Sequence, residues 1–235
     1  MGEAKKVCVV TGVGAGTGAA LCRRFAAGGY RVAMLARSRE KLAELEKEIE
    51  GARAYPTDVT DAAALRATLG RIRDELGAPG VVLHNAGNAS FGDLFQVTDR
   101  QLEDAWRINT LALFVLGQET ARGMIEQGGG AILVTGATAS LRGGAVFAAF
   151  APAKAAQRSL AQSMGRLLGP QGVHVALVIV DGVIDMPLTR GFMPDRPTDQ
   201  FLKPDAIAET FFHLAHQDRS AWTAEVDVRP FSEKW

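Results

Sequence analysis

The stretch Thr11–Gly18, "TGVGAGTG", decides the fold class. It follows a short apolar run, Val7–Val10, and precedes a helix-like stretch, 19–27, that stops at Gly28-Gly29. Glycines between a strand and a helix let the backbone turn tightly and approach a pyrophosphate at the helix N-terminus. The glycine pattern alone is weak evidence, but its position makes it much stronger, although a plain tight turn is the alternative. We therefore expect a dinucleotide site formed by Gly12, Gly14, Ala15, Gly16, Thr17 and Gly18.

Outward from this loop, short apolar runs alternate with helix-like stretches. We predict strands at 31–36, 52–58, 81–84, 131–135 and 173–180, and helices at 39–49, 61–76, 98–126 and 150–168. Near-continuous apolar strands separated by helices are typical of a parallel sheet covered on both faces. With right-handed connections, this predicts an α/β fold, a Rossmann-type doubly wound parallel sheet in a single domain over residues 1–235. The alternating stretch 224–230 predicts a last strand at the sheet edge.

Composition excludes several classes of function. The 26 basic and 26 acidic residues give a formal net charge of zero, which argues against nucleic acid as a partner and against electrostatic attachment to a membrane. No apolar run has the length of a secretory signal or a bilayer span. Cys8 and Cys22 favour buried thiols in a reducing compartment, and no Cys/His cluster has the spacing of a metal site. We therefore expect a cytoplasmic protein that holds no metal and acts on a small molecule.

The end of the second predicted strand indicates which dinucleotide is preferred. An NAD site usually offers a carboxylate about twenty residues beyond the glycine loop. Here the strand ends in Ala36-Arg37-Ser38-Arg39, without a carboxylate at its tip. Arg37 and Ser38 are placed to bind a 2′-phosphate, Arg37 through charge-assisted hydrogen bonds. This favours NADP(H) over NAD(H), the alternative being that Arg37 and Arg39 are only solvated charges.

Further motifs resemble the short-chain dehydrogenase/reductase family, and they occur in its order along nearly the whole chain. Thr11-Gly12-x-x-x-Gly16-x-Gly18 resembles its TGxxxGxG motif, and "HNAG", 84–87, resembles its Asn-Asn-Ala-Gly. Asp58-Val59 resembles the pair that contacts the adenine in that family. The resemblance therefore implies five further cofactor-binding residues: Asp58, Val59, Asn85, Ala86 and Gly87.

The resemblance also implies a catalytic tetrad, of which this chain keeps two members. Asn109 and Lys154 match the family Asn and Lys. Phe150 stands where the family has Tyr, and Ala137 stands about thirteen residues earlier, where it has Ser. Tyr30 and Tyr55 are the only tyrosines, and both lie in the cofactor half. A shift in register could still bring Thr138 or Ser140 to the serine position.

In this family the Tyr exchanges a proton with the substrate, the Ser holds the substrate oxygen, and the Asn supports a water relay. Such proton transfer is worth about 10²–10⁴ in rate. The resemblance implies that Lys154 binds the nicotinamide ribose, which would support cofactor binding without chemistry. As an alternative, its ammonium could deliver a proton through water.

The segment after the sixth predicted strand faces the substrate side of such a fold. Asp181-Gly182 replaces the Pro-Gly of the family, and Met186 or Asp185 takes the place of its Thr. The resemblance implies cofactor contacts from Gly182, Val183 and Ile184. Residues 186–204 hold four prolines and show no clear period, so we expect an irregular substrate lid. Its apolar side chains predict an apolar pocket, unless they only pack the lid onto the domain.

Two functions suit this combination of residues. The first is an NADP(H)-dependent oxidoreductase with an incomplete tetrad that transfers a hydride to a small, apolar substrate. The second is a non-catalytic NADP(H)-binding protein, either a sensor or a subunit of an assembly; a non-redox isomerase or lyase is less favoured. The resemblance also implies a homodimer or homotetramer formed through the long helices, 98–126 and 150–168.

Overall fold

The computed structural model of the chain describes residues 6–88 and 90–232. Its main sheet has seven parallel strands in the order β3-β2-β1-β4-β5-β6-β9. These strands are β1 (Val7–Thr11), β2 (Arg31–Ala36), β3 (Ala52–Pro56), β4 (Pro79–His84), β5 (Gly130–Ala137), β6 (Val173–Val180) and β9 (Glu225–Val228). The short strands β7 (Val183–Ile184) and β8 (Phe201–Leu202) pair with each other. This order confirms the predicted doubly wound α/β fold.

Helices cover both faces of the main sheet. They are α1 (Thr17–Ala27), α2 (Arg39–Glu48), α3 (Ala62–Leu76), α4 (Asp99–Trp106), α5 (Ala112–Glu126), α6 (Phe150–Leu168), α7 (Pro187–Phe192) and α8 (Pro204–Ala215). Side chains alternate along each strand, so Val7 and Val9 pack with α3, α5 and α6, whereas Cys8 and Val10 pack with α1, α2 and α8. In the described ranges, no helix is both long and apolar enough to cross a membrane.

The sequence predicted most element boundaries within a few residues. Ser38 caps α2 and Asp61 caps α3, each by accepting hydrogen bonds from the first turn. β9 lies at the sheet edge, as expected, and pairs in parallel with β6. The predicted third strand was too long, since β3 ends at Pro56.

The predicted helix 98–126 is confirmed in its extent, and it contains a π-helical turn, Arg107–Leu111, between α4 and α5 that holds Asn109. One prediction about regularity was wrong. The predicted irregular segment 186–204 contains α7 and β8. Asp185 and Arg190 form two hydrogen bonds of 2.7 and 2.8 Å, and they fix the first turn of α7. This local ion pair stabilises regular structure in a segment that its prolines alone would predict to be irregular.

Candidate functional site

The strand order changes direction between β1 and β4, where a doubly wound sheet opens a crevice beyond the carboxyl ends of its strands. The glycine loop follows β1 there. Gly12 has φ +70°, and a Cβ on it would lie 2.5 Å from the Ala86 Cα. A Cβ on Gly18 would lie 2.4 Å from the Gly12 carbonyl oxygen. Only glycine fits these two positions, whereas a Cβ on Gly14 would have no atom of the described residues within 4 Å and would face open space.

The N-terminus of α1 fits an anion. Gly16 is the N-cap and supplies no side-chain cap. The Thr17 hydroxyl is buried and has no hydrogen-bond partner among the described residues. Unpaired donors at a helix N-terminus bind phosphate through backbone N–H groups and the helix dipole. The loop therefore fits a pyrophosphate, with Ala15 exposed at its tip.

Met186 lies over this loop from the other side of the crevice. Its Sδ is 3.0 Å from the position that a Cβ on Gly16 would occupy. Asp185 is instead held by Arg190, so Met186 is the residue that reaches the loop. Gly182 has φ +151°, and Val183 and Ile184 lie in β7, which keeps this backbone beside the crevice.

The far end of the crevice holds the residues predicted to select a 2′-phosphate. Arg37 is exposed, as this role requires. The Ser38 hydroxyl accepts from Lys41 N at 3.3 Å and donates to the Glu40 carboxylate at 2.9 Å. Ser38 is thus already engaged as a helix cap. Glu40, one residue beyond Arg39, carries a carboxylate close to the end of the strand, and the prediction of NADP(H) did not take it into account. Of these two predicted ligands, Arg37 is the more exposed.

The predicted adenine pair follows β3. Val59 is buried, whereas Asp58 is exposed. The Asp58 carboxylate accepts from the Thr60 N–H at 2.9 Å and from its hydroxyl at 2.7 Å. This turn holds the Asp58 backbone in place and leaves the second carboxylate oxygen available to a ligand.

The loop after β4 ties the glycine loop to β5. Asn85 donates to the Gly12 carbonyl at 3.0 Å and accepts from the Thr135 hydroxyl at 3.2 Å. The Ala86 N–H donates to the Thr11 hydroxyl at 3.2 Å. These bonds bring the backbone of residues 85–87 to the crevice, where the family places its cofactor.

Lys154 and Asn109 lie together, as the resemblance implied. Lys154 Nζ donates to the Thr135 carbonyl at 2.7 Å, and burial lowers the pKa of this amine to about 7. Asn109 donates to the Ala105 carbonyl at 2.8 Å, while its buried Oδ1 has no partner within the described chain. A Cβ on Gly87 would lie 3.2 Å from that oxygen and 3.6 Å from Lys154 Nζ, so both atoms face the same point.

Sequence reasoning missed two buried polar residues beside this pair. Gln157 accepts from Lys154 Nζ at 3.1 Å and donates to the Asn109 carbonyl at 3.0 Å. His84 Nε2 lies 3.1 Å from the same carbonyl, and His84 Nδ1 lies 3.0 Å from the Thr11 hydroxyl. Burial, and then the charge of Lys154, lower the pKa of His84 to about 3, so this ring is neutral. The available signal was the spacing of Lys154 and Gln157, three residues apart on one helix face.

The serine position shows a rearranged set of hydroxyls. Ala137 ends β5 and offers only a methyl group. The Thr138 hydroxyl donates to Asp181, whose carboxylate also lies 3.4 Å from Arg229. Ser140 is buried, and its oxygen accepts from the Ala137 N–H at 3.1 Å. Both neighbouring hydroxyls are therefore engaged with the protein.

Three phenylalanine rings lie together around Phe150, the residue that the resemblance matches to the family Tyr. The ring centroids of Phe147 and Phe150 are 6.0 Å apart, and those of Phe91 and Phe147 are 5.6 Å apart. Lys154 Nζ is 5.9 Å from the centroid of Phe150. We call Phe91, Phe147 and Phe150 the aromatic wall. It is an apolar surface with π faces and no hydroxyl.

Comparisons with known proteins agree with this geometry. A curated relative, the 3alpha-hydroxysteroid dehydrogenase of Mediterraneibacter gnavus, is 27% identical over 94% of both chains. The L-2,3-butanediol dehydrogenase of Corynebacterium glutamicum is 30% identical over 76% of this chain and 72% of its own.

Solved structures match over almost the whole chain. A short-chain dehydrogenase from Rhodopseudomonas palustris is 37% identical, with a TM-score of 0.82 over 98% of this chain and 100% of its own. A metagenomic short-chain oxidoreductase in complex with NADP is 29% identical, with a TM-score of 0.84 over 96% of this chain and 97% of its own. The model of the family described as short chain dehydrogenase matches residues 6–196. The chain therefore belongs to the short-chain dehydrogenase/reductase family of NAD(P)-dependent oxidoreductases.

Proposed function

We propose that this protein is an NADP(H)-dependent oxidoreductase that transfers a hydride to a small, apolar substrate without a catalytic tyrosine. One observation carries the proposal: the dinucleotide crevice and the Lys154–Asn109 pair are intact, while Phe150 and Ala137 replace both family hydroxyls. The NADP complex of the metagenomic relative adds support for the phosphorylated nucleotide.

The proposed cofactor ligands line the crevice from one end to the other. The pyrophosphate lies at the α1 N-terminus, and Arg37 binds the 2′-phosphate, since its guanidinium is exposed at the tip of β2. The full proposed set is Gly12, Gly14, Ala15, Gly16, Thr17, Gly18, Arg37, Ser38, Asp58, Val59, Asn85, Ala86, Gly87, Lys154, Gly182, Val183 and Ile184. When bound, the nicotinamide nucleotide supplies the hydride chemistry.

The chain's own residues orient the reactants and exclude water. Lys154 holds the nicotinamide ribose, and Thr135 and Gln157 fix the direction of its amine. Phe150 occupies the tyrosine position as an apolar contact for the substrate, and Ala137 leaves the space beside it free of a hydroxyl. Asn109, which lies in the π-helical turn, positions the residues around Lys154.

The segment 186–204 acts as the substrate lid. Leu188 and Phe192 lie on α7 with exposed fractions of 62% and 77%, and Met193 follows at 41%. Exposed apolar side chains above an apolar pocket gain burial when a substrate binds. The lid and the aromatic wall together favour an apolar substrate.

A second copy of the chain covers the exposed face of α4 and α5 in this proposal. Leu102, Trp106 and Phe114 are between 43% and 45% exposed on these helices. A groove of about 500 Å³ next to them is lined also by Leu111 and by Pro152 of α6. Burial of these side chains would stabilise a homodimer or homotetramer.

The buried free thiols of Cys8 and Cys22 suit a reducing compartment such as the cytoplasm.

The loss of NADPH absorbance tests the activity across a panel of ketones, enones and imines. Turnover of any member supports the enzyme. Binding of NADPH without turnover of any substrate would favour a sensor or an assembly subunit instead.

Two arginine variants test which dinucleotide the protein prefers. Arg37→Ala should weaken NADPH binding by at least about tenfold, the loss of one charged hydrogen bond, and leave NADH unchanged. Arg39→Ala is the matched control, since Arg39 is the next exposed arginine along the chain. Equal affinity of the unaltered protein for NADPH and NADH would contradict the preference.

A further inference from the structure

The pocket beside the aromatic wall is poor in groups that can give up a proton. Positions 150 and 137 hold Phe and Ala. The neighbouring Thr138 hydroxyl donates its hydrogen bond to Asp181. A ketone that receives a hydride becomes an alkoxide, which needs a proton from a positioned acid to be stabilised. Positions 150 and 137 therefore lack the two hydroxyls that protonate and hold a ketone oxygen in this family.

Gln157 also closes the route from Lys154 to the Asn109 carbonyl. Its carboxamide fills the gap between them, with contacts of 3.1 and 3.0 Å, and the side chain is fully buried. A carboxamide donates and accepts hydrogen bonds but does not ionise at ordinary pH. It fixes the two groups relative to each other. Gln157 is thus a positioning residue.

The aromatic wall offers a different kind of stabilisation. The π face of a phenylalanine attracts a cation within about 6 Å of its centroid. Lys154 Nζ lies 5.9 Å from the centroid of the Phe150 ring, which is within this range. Phe147 and Phe91 continue the surface beyond Phe150, and Phe91 is 66% exposed. Because burial lowers the pKa of Lys154 to about 7, its amine is largely neutral at pH 8 and does not repel a second cation there.

We propose that the aromatic wall binds a planar iminium ion and that the protein reduces its C=N bond without supplying a proton. The inference rests on the proposed function, which supplies the hydride. A C–H bond forms at the iminium carbon, and the π electrons of the C=N bond become the nitrogen lone pair. The C–H bond at the nicotinamide C4 breaks, and the positive charge passes to the nicotinamide ring. No proton is gained or lost, so the absence of Tyr and Ser hydroxyls costs this reaction nothing.

The test compares two ligands of one bicyclic shape at pH 8. N-methyl-3,4-dihydroisoquinolinium carries a permanent charge on its C=N bond, and 1-tetralone carries a neutral C=O bond. Isothermal titration calorimetry with 1,4,5,6-tetrahydro-NADP present, an analogue of NADPH whose nicotinamide ring is neutral and gives no hydride, should show at least tenfold tighter binding of the iminium. With NADPH, the iminium should be reduced and 1-tetralone should not. Equal affinities, or faster reduction of 1-tetralone, would overturn the inference.

Two variants test whether the ring faces are responsible. Phe147→Leu keeps an apolar side chain but removes a π face, so it should weaken iminium binding about two- to fivefold and 1-tetralone binding less. Phe95→Leu is the control, since Phe95 lies outside the aromatic wall and is 95% exposed. Equal loss for both ligands in Phe147→Leu would also overturn the inference. Failure of 1,4,5,6-tetrahydro-NADP itself to bind would overturn the proposed function along with it, whereas binding of this analogue without iminium binding overturns only the inference.

Discussion

The two ends of the crevice differ in whether backbone contacts or side chains form them. At the glycine loop, backbone meets backbone: Gly12 approaches Ala86, and Gly18 approaches the Gly12 carbonyl. At the other end, positions 137 and 150, which the resemblance matches to the family Ser and Tyr, carry side chains on β5 and α6. A change at the first end disturbs the fold, whereas a change at the second alters chemistry and leaves the fold in place.

Phe150 illustrates the second case. A phenylalanine keeps the ring of a tyrosine and its packing against Phe147, and it loses only one hydroxyl. The cost in stability is small, because a half-buried ring needs no partner for an absent hydroxyl. The reactivity of the site can therefore change while nucleotide binding is retained.

The largest effect should come from restoring the hydroxyls. In the double variant Ala137→Ser and Phe150→Tyr, ketone reduction should rise by about 10²–10⁴, since a positioned acid then protonates the alkoxide. Steady-state NADPH oxidation with 1-tetralone measures the gain, and the melting temperature checks that the fold is retained. A double variant that binds NADPH but stays inactive on all ketones would show that the two ends are not independent.

The next largest effect concerns the glycine loop. Gly12→Ala should lower the free energy of unfolding by about 3 kcal/mol, because its φ of +70° and the 2.5 Å approach to Ala86 both oppose a Cβ. Gly14→Ala is the control and should stay within about 0.5 kcal/mol, since its Cβ would meet open space. Urea unfolding gives both values. Equal losses would refute the claim that contact between backbones fixes this loop.

An acid-dependent loss of stability should trace to His84. The pKa of this buried ring is about 3 in the folded protein and about 6.5 when unfolded, so only the unfolded chain takes up a proton between these values. Stability is therefore lost as pH falls below 6.5, by about 2 kcal/mol between pH 7 and pH 5. His84→Asn should remove this dependence in urea unfolding at the two pH values. The exposed His213→Asn serves as control, and an unchanged slope in His84→Asn would contradict the assignment.

The smallest effect separates two roles of Ser38. As the N-cap of α2, Ser38 should cost about 1 kcal/mol of stability when changed to Ala and only a few tenths when changed to Gly. Thermal unfolding measures this difference. Ser38 is also a proposed ligand, but Arg37 supplies the charge at the 2′-phosphate, so both changes should weaken NADPH binding less than Arg37→Ala does. A loss as large as that of Arg37→Ala would instead make Ser38 the main phosphate ligand.

The fold and the cofactor end were largely accessible from the sequence, because both depend on local patterns. Short apolar runs separated by helix-like stretches predict the parallel sheet, and the spacing of Gly12, Gly16 and Gly18 predicts the loop. The same reasoning predicts roles for Asn109 and Lys154, and it predicts that Phe150 takes the tyrosine position.

The features that the sequence did not predict depend on contacts that hydrophobic periodicity does not record. The hydrogen bond from Gln157 to the Asn109 carbonyl joins residues on different helices, and the π-helical turn that orients Asn109 leaves no mark on hydrophobic periodicity. The regular structure in 186–204 arises from the pairing of β7 with β8, which are distant in sequence, and from the Asp185–Arg190 pair, which is local. Hydrophobic periodicity reveals neither of them.

The pairing of β7 with β8 has a consequence for engineering. Val183 faces Phe201 and Ile184 faces Leu202, so the two ends of the intervening segment are clamped together on the domain. Once its ends are fixed, doubling the length of a flexible loop costs only about 0.6 kcal/mol. The segment between β7 and β8 could therefore be replaced by longer or shorter segments in order to change which substrate the protein accepts.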